Sequence, residues 1–207
     1  MFGRVGFSMV QDQAAAGDTF QARWCAGGRN LVLRPVSPQD VRLSQAFIES
    51  LSFSSRYFRF GRGDVVFADK ELLQLCSPDP RECADFIVLD VTDPVPVELA
   101  SARYCIQPGT RSAEFALAVA DDWHGQGLGR RLVDALLASA RRHALEEIYG
   151  IVLATNCRML AFAQRLGFEC SEALAEGVLL KVVHRIDRPP LAPPMERFVP
   201  GVGVSIR

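Results

Sequence analysis

EFALAVADDWHGQGLGRRLVDALL, residues 114–137, changes its hydrophobic period partway and so decides how the chain is read. Its first part is apolar and strand-like and ends near Val119. The second, followed on to Arg142, repeats Leu128, Leu132, Leu136, Leu137 and Ala140 at helical spacing, with Arg130, Arg131, Asp134, Arg141 and Arg142 mainly on other faces. Between them lies His124-Gly125-Gln126-Gly127-Leu128-Gly129. Three alternate glycines let a backbone turn tightly and bring N–H groups to one point. The helix behind adds about half a positive charge at its start. Together they predict an anion site suited to a pyrophosphate, with Arg130 and Arg131 at its rim. A strand-to-helix turn without a ligand accounts for the glycines equally well.

The spacing also excludes two other loops. A dinucleotide fingerprint needs G-x-G-x-x-G, and the chain has G-x-G-x-G. A P-loop needs a following G-K-S/T, which is absent.

Upstream, DFIVLDV, PVELASARYCI and AEFALAV read as three successive strands, separated by turns at Asp93-Pro94 and Pro108-Gly109. Strands in series without intervening helices form an antiparallel meander. Further back, Ser37, Pro38 and Asp40 open a helix: a cap, a first-turn proline and an acid at the positive end. SFSSRYFRF, capped by Ser52 or Ser54, and DKELLQLC give two more short helices, and Leu31–Leu33 a short strand. Downstream, IYGIVLA reads as a strand, NCRMLAFAQRL as a helix capped by Asn156 and stopped at Gly167, and GVLLKVVHRI as a closing strand. The predicted class is α/β: a mixed, mostly antiparallel central sheet with helices on both faces. Residues 1–29 read as a flexible N-terminal lead-in, 30–186 as the domain, and 187–207 as a Pro-rich C-terminal arm, a place where a partner or a second copy in a homodimer would dock.

Net charge is −1, against a general nucleic-acid binder. No apolar run approaches a membrane span, and the N-terminus lacks the apolar core of a signal peptide. Six cysteines without a C-x-x-C pair, and three histidines, argue against a metal site. The expectation is a cytoplasmic protein with reduced thiols.

HGQGLG resembles the CoA-binding loop of the GNAT superfamily of acyltransferases, R/Q-x-x-G-x-G/A, and NCRMLAFAQRLGF resembles that family's second signature. One helix and one strand separate the two, as the family has it. SFSSRYFRF, LLQLCSPDPRECADFIVLD and AEFALAVADDWHGQGLGRRL further resemble the acetyltransferase domain of bacterial protein lysine acetyltransferases. Those enzymes act on acyl-CoA synthetases and often carry extra domains. The resemblance implies a stand-alone relative with a GNAT-like fold that moves an acetyl group from acetyl-CoA to a primary amine. The amine expected is a protein lysine, as on an acyl-CoA synthetase, with a small-molecule amine or a protein N-terminus left open. The rival reading is a non-catalytic acyl-CoA-binding module.

The resemblance assigns roles. Glu114, at the start of the family's catalytic strand, is the general base, with burial beside Phe115 and Leu117 expected to raise its pKa. The backbone at Leu117 and Val119 pairs with the pantetheine arm, as the family's splayed strand does. His124, Gly125, Gln126, Gly127, Leu128, Gly129 and Arg130 hold the pyrophosphate. Asn156 contacts the pantetheine amide or only caps its helix; Met159 and Phe162 form the cofactor wall. Tyr57, Arg59 and Asp121 flank the acceptor. Two departures stand out: His124 opens the loop where Arg or Gln is usual, and Ala163 occupies the place of the family's frequent tyrosine acid.

Overall fold

A computed structural model of the chain describes residues 21–174 and 178–186. Eight strands form one sheet: β1 (Ala22–Ala26), β2 (Arg29–Pro35), β3 (Cys83–Asp90), β4 (Val97–Ile106), β5 (Ser112–Val119), β6 (Glu147–Leu153), β7 (Glu169–Leu174) and β8 (Leu179–Arg185). Their spatial order is β1-β2-β3-β4-β5-β6-β8-β7. Every neighbouring pair is antiparallel except β5 and β6, which run parallel. A parallel pair needs a crossover, and the helix read from the leucine period supplies it.

Among the described residues five α-helices cover the sheet: α1 (Val41–Ser50), α2 (Phe53–Phe60), α3 (Asp69–Leu75), α4 (Leu128–Arg142) and α5 (Cys157–Arg165). The five α4 residues picked out by period are all buried. They pack with Val88, Ala100, Ala102 and Ala113 of the sheet, whose small alanines let the helix lie close. Each buried leucine contributes roughly 1.5–3 kcal/mol. Tyr104 of β4, fully buried, ties this layer down: its hydroxyl lies 3.0 Å from Ser139 Oγ and 2.8 Å from His143 Nδ1 at the far end of α4. The opposite face carries a second core of Phe47, Ile48, Leu51, Val65, Leu72 and Ala118, which seats α1 and α3.

Several expectations change. Residues 22–26, inside the stretch read as lead-in, form β1 and hairpin onto β2 through Gly27 and Gly28, both at positive φ. Trp24 of β1 carries the Arg131 guanidinium 4.4 Å over its ring. Residues 1–20 and the arm 187–207 lie outside the described residues. β7 was not expected. Asp40 stands at the helix start as expected, its Oδ2 accepting from Ser37 N–H at 2.8 Å, and is in addition the buried partner of Arg34, which grips both its oxygens at 2.7 Å. The expectation of uniformly reduced thiols is corrected as well. Cys83 and Cys105 stand directly opposite in the β3–β4 register and are joined as a disulfide.

Candidate active site

β5 and β6 pair over only three positions: Ser112 with Glu147, Ala113 with Ile148, and Glu114 with Tyr149. Beyond that rung β5 stays bonded to β4 as far as Val119, and β6 to β8 as far as Leu153. The two strands therefore splay, and their facing backbone groups lose each other as partners. Gly150 sits where the opening begins: a Cβ there would lie 2.9 Å from the Phe115 ring, so only glycine lets that ring fill the apex. Phe115 packs in turn on Phe168, ring centroids 5.1 Å apart.

The glycine loop lies beyond the splayed end of β5. A short 3-10 turn, Asp121–Trp123, separates them. Gly125 and Gly127 have φ near +78° and +85°, and space is open where a Cβ would stand on each. Gly127 caps α4 in the left-handed region. The first intrahelical bond runs from Arg131 N–H to Gly127 O, leaving the N–H groups of Leu128, Gly129 and Arg130 at the free end of the helix. A concave, unobstructed run of backbone donors fits a pyrophosphate. Gln126 faces inward on its own loop, Nε2 donating to Asp122 O at 3.0 Å. Arg130 is exposed and 3.8 Å from Asp134 on its own helix.

α5 closes the other side. Gly129 approaches it so closely that a Cβ would lie 3.1 Å from Phe162 Cζ. Met159 and Phe162 pack against the main core as half-buried residues. Asn156 is the cap of α5, its Oδ1 accepting from Met159 N–H at 3.1 Å. His124 Nδ1 is in contact with Arg158 Nη1 across the loop, a partner that sequence reading missed. Ala163 is buried, so α5 presents no hydroxyl there. Leu117 and Val119 face the α4 core and Ala118 the opposite one, as strand alternation requires.

On the α1–α3 face, Glu114 is exposed rather than buried, which corrects the expected desolvation. It pairs with Cys105 on one side and Tyr149 on the other. Desolvation, with the charges of Glu114 and Glu147, pushes the Tyr149 hydroxyl up. Lys181 Nζ lies 4.5 Å over the Tyr149 ring. Asp121 accepts from Ser52 N–H (2.9 Å), Ser52 Oγ (3.0 Å) and Ser55 Oγ (2.7 Å), fastening the end of β5 to the start of α2. Desolvation opposes its charge, but those three hydrogen bonds outweigh it and hold its pKa low. Tyr57 is exposed on α2.

Arg59 reaches a cleft under α1 and α2, together with Asp85, Glu98 and Arg103. Of these four, the sequence singled out Arg59 alone. Burial pushes Asp85 up to about 7, against the pull of Arg103 and Arg59. It pushes Glu98 up to about 8, against the hydrogen bond that Ser44 Oγ donates at 2.7 Å.

Three comparisons place this geometry. Residues 48–168 match the model of the acetyltransferase (GNAT) family. An acetyltransferase of Pseudomonas aeruginosa is 33% identical over 162 residues, 77% of this chain and 84% of that protein. The crystal structure of the GNAT domain of S. lividans PAT superposes with a TM-score of 0.71 at 21% identity, over 80% of this chain and 96% of that one. A spermidine N-acetyltransferase from Vibrio cholerae, solved with CoA and spermine, gives 0.62 at 20% identity, over 75% of this chain and 95% of that one. The two structural likenesses speak for the fold.

Proposed function

The chain belongs to the GNAT acetyltransferase family, and from that premise we propose that it acetylates a protein lysine in the cytoplasm, an acyl-CoA synthetase being the first target to try. It is an acyltransferase whose acyl donor is acetyl-CoA. The observation that carries the reading is the splay beyond Glu114 and Tyr149, which ends at the glycine loop. An extended amide-bearing arm laid in that opening finds backbone partners on β5, while the loop N–H groups and the start of α4 hold its pyrophosphate.

The proposed chemistry is direct attack of the amine nitrogen on the thioester carbon. The C–N bond forms, the C–S bond breaks, and the amine proton passes to Glu114, directly or through water. A backbone N–H near Val119 polarises the carbonyl. Leu117, Met159 and Phe162 wall the arm, and Asn156, its carbonyl oxygen spent on the cap, keeps its amide N–H groups for the pantetheine. His124 and Arg130 edge the phosphates. With Ala163 in place of a tyrosine, the CoA thiolate takes its proton from solvent. Tyr57 and Arg59 border the acceptor. Asp121 shapes that border by holding α2.

Calorimetric titration with acetyl-CoA, alongside CoA and NAD, tests the premise, and radiolabel transfer to acyl-CoA synthetases tests the acceptor. Binding of acetyl-CoA and CoA without NAD is the expected result. No binding of either sinks the reading. Binding without transfer to any amine favours the non-catalytic module, and transfer to small amines alone replaces the protein acceptor.

A further inference from the structure

In the cleft on the α1–α3 face two arginines meet two carboxylates, and neither arginine Nε finds an acceptor. Arg59 enters from α2 and Arg103 from β4; Asp85 of β3 lies between them. Asp85 Oδ2 is 2.8 Å from Arg103 Nη2, yet it lies off the hydrogen-bond direction, so neither group is satisfied by the other. The Nε atoms of Arg59 and Arg103 are both shielded from water and have no hydrogen-bond partner. Burial lowers the Arg59 pKa to about 10, with the Arg103 charge adding to the effect, which still leaves it protonated at neutral pH. Glu98, pushed up to about 8, is mainly neutral there. The two guanidiniums, Arg59 also 4.9 Å over the Phe60 ring and Arg103 partly exposed, thus share the Asp85 carboxylate. A buried N–H without an acceptor is costly, and a planar guanidinium fork matches a carboxylate.

Register places this cleft beside the reaction centre. Arg103 pairs with Ala116 on one side and Asp85 on the other. Ala116 is two residues along β5 from Glu114, so both point to the same face. It also lies within the splay.

We infer that the Arg59–Arg103 cleft is a carboxylate subsite, and that the acceptor is an amine that also carries an acidic group. This rests on the acyl-transfer reading. An acidic residue flanking a lysine and the carboxylate of a small amino acid share this chemistry.

The test uses the full chain and matched acceptor pairs: a lysine peptide with Asp or Asn beside the lysine, and 6-aminohexanoate or its carboxamide. The acidic member is expected to win in kcat/KM by about tenfold to a hundredfold in one pair, the worth of a charge-assisted hydrogen bond. The winning pair identifies the source. Arg59→Gln should bring that ratio to about one, and Arg59→Lys should restore part of it. If Arg59→Gln fails to fold by circular dichroism, inhibition of the wild type by glutarate, competitive with the amine, serves in its place. Equal rates within both pairs, a preference for the neutral members, or a ratio that Arg59→Gln leaves intact overturns the subsite. So does the absence of inhibition by glutarate. Acetyl-CoA binding is measured on the same sample: if it persists while the preference is absent, the subsite falls and the acyl-transfer reading stands.

Discussion

Glu114 and Tyr149 face each other across the last bonded rung of the parallel β5–β6 ladder, one on each lip of the opening that follows. The only parallel pair among the described strands is therefore also the least complete, and the carboxylate proposed as base stands where pairing stops.

Glu114→Gln keeps the size and the strand but removes the proton acceptor. We expect kcat to fall about a hundredfold or more, with acetyl-CoA affinity unchanged. Single-turnover kinetics with saturating amine, beside calorimetry, would measure both. An unchanged kcat would mean that solvent or another group takes the proton.

Gly127→Ala adds a methyl to open space, so its effect comes from backbone conformation and from filling the cradle. A left-handed alanine costs roughly 1–2 kcal/mol. The melting temperature should drop modestly and acetyl-CoA binding should weaken by more than that strain accounts for. A lower melting temperature with full affinity would assign the glycine to the turn alone.

Glu98 gives a pH signature. Its folded pKa, about 8, lies above its ordinary value of 4.5, so between those values the folded state holds a proton that the unfolded state has released. Its stabilising contribution is complete below pH 4.5 and is lost as pH rises toward 8, by at most about 1.4 kcal/mol per unit. Glu98→Gln retains an acceptor for Ser44 and cannot ionise. It should gain stability at pH 8 and little at pH 4.5, as urea unfolding at the two values would show. Equal effects at both pH values would mean that Glu98 is charged in the folded protein.

The Cys83–Cys105 bond closes a loop of 22 residues. Replacing both cysteines by serine should cost about 3 kcal/mol in the chain-entropy account. Urea unfolding of oxidised protein before and after dithiothreitol would reveal the same loss. No difference would mean that the thiols are unlinked in solution.

What was legible in the sequence was local. The leucine period of α4, the Ser37 and Ser52 starts and the positive-φ glycines each depend on residues a few positions apart, and each has its place in the structure. The splay was expected only through the family resemblance. Nothing in EFALAV or IYGIVLA says that their pairing stops after three rungs. The cleft was hidden for the same reason: Asp85 meets Arg103 because β3 and β4 share a register, and Arg59 arrives from a separate helix. Ala22, Trp24 and Ala26 do alternate, yet five residues ending in two glycines are a weak strand signal. Glu114 was expected to be buried because its neighbours Phe115 and Leu117 are apolar, but adjacent strand residues point opposite ways.

Mechanically, the sheet is two plates, β1 to β5 and β6 with β8 and β7, stitched along one edge by the three-rung seam at Ser112–Glu114 and by the helices packed across it. A seam that short would leave the two plates free to flex about it. An arm bonded within the opening would splint the plates together, stiffening β7 although it need not touch it. Occupancy would then be felt as rigidity on the far plate, and amide hydrogen exchange there would report whether the donor is in place before any acceptor arrives.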